Sequence, residues 1–152
     1  MTPDRAFTFA GNLAVFGWLL LAASLFVPTA WRDRLRLLGG RVVPALLAAG
    51  YVAALLFWWG DARGKGGFGS LAEVGALFSV PGLLLAGWVH YLAFDLLIGR
   101  WEIDDSGGEA AAWWLLPCLA LTFLFGPAGW LLYLLARTAM RARSRQKGDG
   151  SP

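Results

Sequence analysis

The sequence has one cysteine, one histidine and few charges: Asp, Glu, Lys and Arg together make up 15% of its 152 residues. A lone Cys118 excludes an intrachain disulfide, and no Cys/His set with zinc-ligand spacing exists. A single histidine, His90, cannot build the multi-histidine di-iron site of a membrane hydroxylase, so no metal is expected. Also missing are a P-loop, a dinucleotide-binding glycine fingerprint and a nucleophile elbow, which leaves no cofactor to expect. No block alternates polar and apolar residues as a membrane β-barrel strand does, and no internal repeat is visible.

What is abundant is apolar surface. Hydrophobic residues make up 58% of the chain, against about half in soluble domains, and they fall in blocks. About 20 apolar residues carry a helix across the hydrocarbon core. Four blocks approach that length, at about 7–27, 42–59, 77–98 and 112–136. The first ends at Pro28 and is followed by Trp31 and the charges Arg32, Asp33, Arg34 and Arg36. The second closes at Trp58-Trp59-Gly60-Asp61, before the Gly-rich stretch Arg63 to Gly67. The third stops at Gly99-Arg100, before an acidic loop with Glu102, Asp104, Asp105 and Glu109. The fold class expected is all-α, an integral membrane bundle of four transmembrane helices over residues 1–140. A basic tail, 141–152, is expected to be disordered. The opening residues Met1 to Arg5 are barely basic and the apolar run after them is too long for a signal core, so the first block reads as a retained span.

The net charge of +3 and pI near 9.5 do not imply nucleic acid. The basic residues flank apolar blocks, where Lys and Arg normally border membrane spans, and form no stripe suited to phosphates. Trp58, Trp59, Trp101, Trp113 and Trp114 sit at block ends and read as an interface belt. With four spans, Arg5, Arg63, Lys65, Arg137, Arg141, Arg143, Arg145 and Lys147 share a side, facing Arg32, Arg34, Arg36, Arg41 and Arg100. Eight against five places both termini in the cytoplasm, in the inner membrane of a bacterium-like cell. The partners expected are membrane lipids and an elongated apolar ligand, with self-association into a homo-oligomer.

Ionisable groups inside a bilayer are expensive and so are functional candidates. Two stand out, His90 and Asp95, both in the third block. Five residues apart, they diverge by about 140° on a straight helix, so a compact shared site needs a wide cavity. Tyr91 and Asp95, four apart, share a face, and Arg100 lies about one turn beyond Asp95. In the fourth block Cys118 and Thr122 share a face, level with Asp95 if the spans are antiparallel. Pro127, in Gly126-Pro127-Ala128-Gly129, should bend that helix or open a turn near its middle. Asn12 is the remaining polar candidate for burial, on the opposite membrane side from Asp95. Glu73 reads as a solvated or interfacial charge. A plainer account of these groups is interhelical hydrogen bonding, with Asp95 paired to Tyr91 or Arg100.

Trp88-Val89-His90, Asp95-Leu96-Leu97 and the Gly126-Pro127-Ala128-Gly129 turn, with Leu77-Phe78-Ser79 before them, resemble the abscisic-acid-deficient-four-like family. The resemblance runs from Leu77 onward. Plant members of that family are linked to neoxanthin synthesis. It implies a four-helix membrane protein that isomerises a carotenoid or related isoprenoid: an epoxide opens, a neighbouring carbon loses a proton and an allene forms. Such a step needs an acid and a base but no redox cofactor. His90 and Asp95 would be that pair, with Arg100 anchoring Asp95. The alternatives are a non-catalytic protein that binds a lipid or pigment or supports a partner enzyme, and a small transporter, which so few intramembrane charges disfavour.

Overall fold

A computed structural model describes residues 2–107 and 112–149, and every regular element among them is helical. Helix α1 is Pro3–Ala23, with Pro3 in its first turn where the missing N–H costs nothing. Helix α2, Thr29–Leu37, runs through a wider π turn, Leu38–Val42, into α3, Val43–Trp58. The arginines at 32–41 therefore lie on the first turns of a long continuous helix rather than in a loop before it. A short helix α4, Leu71–Phe78, is capped by Ser70, whose Oγ accepts the Glu73 N–H at 3.2 Å. Glu73 returns the bond by accepting the Gly69 N–H at 3.0 Å, and so serves as an exposed cap.

Helix α5, Pro81–Asp105, is the axis of the molecule. In its most apolar window 56% of residues are buried, against 28% in α1 and 22% in the α2–α3 helix. Leu21 of α1, Leu47 of α3 and Leu96 of α5 meet in the core and are fully or almost fully buried. The outward faces keep Phe9, Phe16, Leu19, Leu56 and Phe57 exposed, as expected where lipid is the solvent. The third block thus divides at Ser79-Val80 and extends past Arg100. Glu102, Asp104 and Asp105 belong to α5 rather than to an acidic loop; Gly108 and Glu109 of that loop lie outside the described residues.

The largest departure is in the fourth block. It splits into α6, Ala112–Phe125, and α7, Pro127–Asp149, and α7 folds back along α6. Two observations require the reversal. The Tyr133 ring stacks on Trp114 at 5.6 Å, although the two are 19 residues apart and would be about 28 Å apart on one helix. The Arg137 guanidinium and the Tyr133 hydroxyl both reach Asp105, at the end of α5. Gly126 makes the turn at φ +45°, a left-handed conformation that a Cβ would strain, and Pro127 restarts the helix at its first position. A Cβ at Gly129 would overlap the Thr122 backbone, so that glycine lets the two arms close. Among the described residues three helices are long and apolar enough to cross a membrane, and the fourth block is a helical hairpin whose first arm is a shorter apolar helix, so the four expected spans are matched in part. Helix α7 also continues through residues 141–149, which had read as a tail; residues 150–152 lie outside the described residues.

Candidate functional site

The hairpin tip lands on Asp95. A Cβ on Gly126 would lie 2.6 Å from Asp95 Oδ1, so the backbone of the turn is pressed against the carboxylate. Around this contact opens a groove of about 390 Å³. Helix α5 lines it with His90, Tyr91, Phe94, Asp95 and Ile98, and the hairpin with Gly126, Pro127 and Trp130. The apolar rings give it hydrocarbon walls. Asp95 supplies a buried polar floor, 7% exposed, and its Oδ2 has no hydrogen-bond partner. Tyr91, one turn earlier, interacts with the carboxylate through its hydroxyl.

His90 and Asp95 therefore line one groove despite their angular divergence. The reason is geometric: Asp95 points inward beneath the tip, whereas His90 is exposed at the mouth. The His90 ring stacks on Phe94 at 4.6 Å and leans on Tyr51 of α3 at 5.5 Å. The groove between the two residues has the size and polarity to hold part of a long apolar molecule with one polar group.

Four other sequence candidates lie elsewhere. Arg100 does not anchor Asp95; its Nε donates to Asp104 at 2.6 Å, and Arg36 approaches the same carboxylate at 3.7 Å. Because α5 continues to Asp105, Asp104 sits one turn ahead of Arg100 and takes its charge. Cys118 and Thr122 are buried but sit beside Glu102 rather than Asp95. Asn12 is exposed on the outer face of α1 and lines no part of the groove.

Glu102 is the residue the sequence reading passed over. It is completely buried, its Oε1 accepts the Thr122 hydroxyl at 2.9 Å, and its Oε2 has no partner. Its spacing carried the signal: seven residues after Asp95, it falls on the same helix face two turns on.

At the open end of the hairpin the polar groups are fully used. Asp105 accepts from the Tyr133 hydroxyl and from Arg137 Nε at 3.2 Å, and Arg141 lies 3.7 Å away. The Asp105 carbonyl accepts a second bond from Arg137. Tyr133, completely buried, sits between Trp114 and Trp101. This cluster locks the base of the hairpin to α5 and so holds its tip on Asp95.

A family model described as ABA DEFICIENT 4-like matches residues 5–133, a stretch that contains every residue lining the groove. No curated protein and no solved structure matches the chain.

Proposed function

The chain belongs to the ABA DEFICIENT 4-like family, and from that premise we propose that this membrane protein admits a carotenoid or other elongated isoprenoid to the α5–hairpin groove and isomerises it by acid–base chemistry. One observation carries the reading: a buried carboxylate, Asp95, forms the floor of a groove walled mainly by apolar residues, and its Oδ2 has no hydrogen-bond partner. Such an oxygen is costly unless something else uses it.

In this reading Asp95 takes the proton from a polyene carbon, and Tyr91 holds the carboxylate in place. His90 gives a proton to the epoxide oxygen as its C–O bond breaks. The electron pair of the broken C–H bond becomes the new π bond of the allene. Atoms and electrons balance within the substrate, so no redox partner enters. Exposed Phe94 and Trp130 border the groove, apolar rings that a lipid-soluble substrate would meet first.

A second reading is supported by the His90 ring contacts. Packed against Phe94 and Tyr51 rather than turned toward Asp95, His90 would make part of a binding surface, and the protein would hold a pigment or lipid for another enzyme. Pigment profiles of carotenoid-producing cells carrying the intact chain, His90→Ala or Asp95→Asn distinguish the two. Conversion that disappears in both variants supports catalysis. Unchanged profiles in both would falsify it, and a pigment that co-purifies unconverted with the intact chain favours the binding reading.

A further inference from the structure

Reversal of the fourth apolar stretch changes which charged residues share a side of the membrane. Among the described residues three helices have the length and hydropathy to cross: α1, the continuous α2–α3 helix and α5. Following them in order, the amino-terminal end of α1 and the 63–70 loop lie at one face. The start of α2 and the end of α5 lie at the other. Helix α6 departs from that second face and α7 returns to it, since Tyr133, Arg137 and Arg141 all converge on Asp105.

Charge then sorts far more sharply than four spans allow. The second face holds Arg32, Arg34, Arg36, Arg41 and Arg100, together with Arg137, Arg141, Arg143, Arg145 and Lys147 from α7. Arg5, Arg63 and Lys65 are what remains of the 13 Lys and Arg residues. A division of ten against three replaces eight against five, and the side rich in Lys and Arg is the cytoplasmic one.

Depth gives independent support. Helix α6 has 14 residues, about 21 Å, which falls short of a hydrocarbon core of about 30 Å. Gly126 touches Asp95, ten residues or about 15 Å inside the Asp105 end of α5, so the turn sits near mid-membrane. Non-helical backbone at that depth must be covered by protein. Gly126 is buried and its N–H donates to the Thr122 carbonyl at 2.8 Å.

We propose that α6 and α7 form a re-entrant hairpin inserted from the cytoplasmic leaflet, with the helix ends that carry ten of the Lys and Arg residues on the cytoplasmic side and the amino-terminal end of α1 on the opposite side. The inference does not depend on what the groove binds.

The test places single cysteines by Asp33→Cys, Lys65→Cys and Arg141→Cys in a Cys118→Ala chain in a bacterial inner membrane. A membrane-impermeant maleimide is applied to intact spheroplasts and to inverted vesicles. Asp33→Cys and Arg141→Cys should react in inverted vesicles and lose reactivity in spheroplasts, and Lys65→Cys should do the reverse. Arg141→Cys reacting on the same side as Lys65→Cys would restore four spans and overturn the hairpin. Asp33→Cys and Arg141→Cys reacting together in spheroplasts would overturn the orientation. Because Cys118→Ala could itself disturb the hairpin, the set is repeated with Cys118 retained. That thiol is 1% exposed, and the unsubstituted chain measures its background.

Discussion

Asp105 and Asp95 lie ten residues apart on α5, and the same hairpin meets both. At Asp105 every contact is satisfied: a tyrosine hydroxyl, an arginine Nε and a second arginine surround one carboxylate, at the watery end of the helix. At Asp95 the hairpin brings only backbone, the turn at Gly126, and one carboxylate oxygen is left without a donor. The contrast separates two uses of a carboxylate. One fastens helices together, and the other lies buried beneath the groove with an oxygen that no donor reaches. Glu102 lies between them in position and in satisfaction, with one oxygen bonded to Thr122 and one idle.

The largest effect should come from removing what both carboxylates depend on, the turn itself. In Gly126→Val a side chain must take a left-handed conformation costing about 1–2 kcal/mol, and its Cβ meets Asp95 Oδ1 at 2.6 Å. We predict a stability loss above about 2 kcal/mol, seen as a lowered Tm in detergent. Gly50→Ala is the control: nothing lies within 4 Å of a Cβ there, and helix propensity favours alanine. Equal Tm values for the two variants would show that the turn is not what holds the site.

Next in size is Asp105→Asn. Charge-assisted hydrogen bonds contribute about 1.5–3 kcal/mol, and this substitution weakens those from Arg137 and Tyr133 together. The Tm should fall, and the Tyr133→Phe, Asp105→Asn double variant should fall by less than the sum of the single losses. Additive losses would mean that the cluster does not act as a unit. Thr122→Val follows, at about 1–3 kcal/mol, because it strips Glu102 of its one hydrogen-bond donor. Adding Glu102→Leu should recover much of that loss. If it does not, the burial of Glu102 is stabilised by something other than Thr122.

Composition and block length were enough to read an all-helical membrane protein, because about 20 apolar residues in a row admit few other solutions. Block edges were read less well. Charge ended the third block at Arg100, yet a helix needs no apolarity to continue, and α5 runs on to Asp105. That misplacement hid Glu102 and gave Arg100 the wrong partner. Gly126-Pro127 was legible as a break but not as a reversal: a left-handed residue followed by a helix-starting proline suits many angles. The angle is set by contacts far apart in sequence, Gly129 on Thr122 and Tyr133 on Trp114. Asn12 failed for another reason. In lipid both faces of α1 are apolar, so periodicity does not say which one is buried.

The smallest predicted stability change carries the most information about function. Asp95→Asn keeps the shape that fills the space beneath Gly126 and removes a charge that has lost its water without gaining a donor for Oδ2. Tyr91 can still donate to the amide oxygen. Stability should therefore shift by no more than about 0.5 kcal/mol, and a gain is as consistent as a loss. Conversion of the bound isoprenoid should nevertheless stop, since an amide cannot take a proton from carbon. Thermal melts of Asp95→Asn and Asp105→Asn, run beside pigment analysis, put the contrast on one scale. If Asp95→Asn melts as early as Asp105→Asn, the two carboxylates do the same structural job and the groove loses its claim to chemistry.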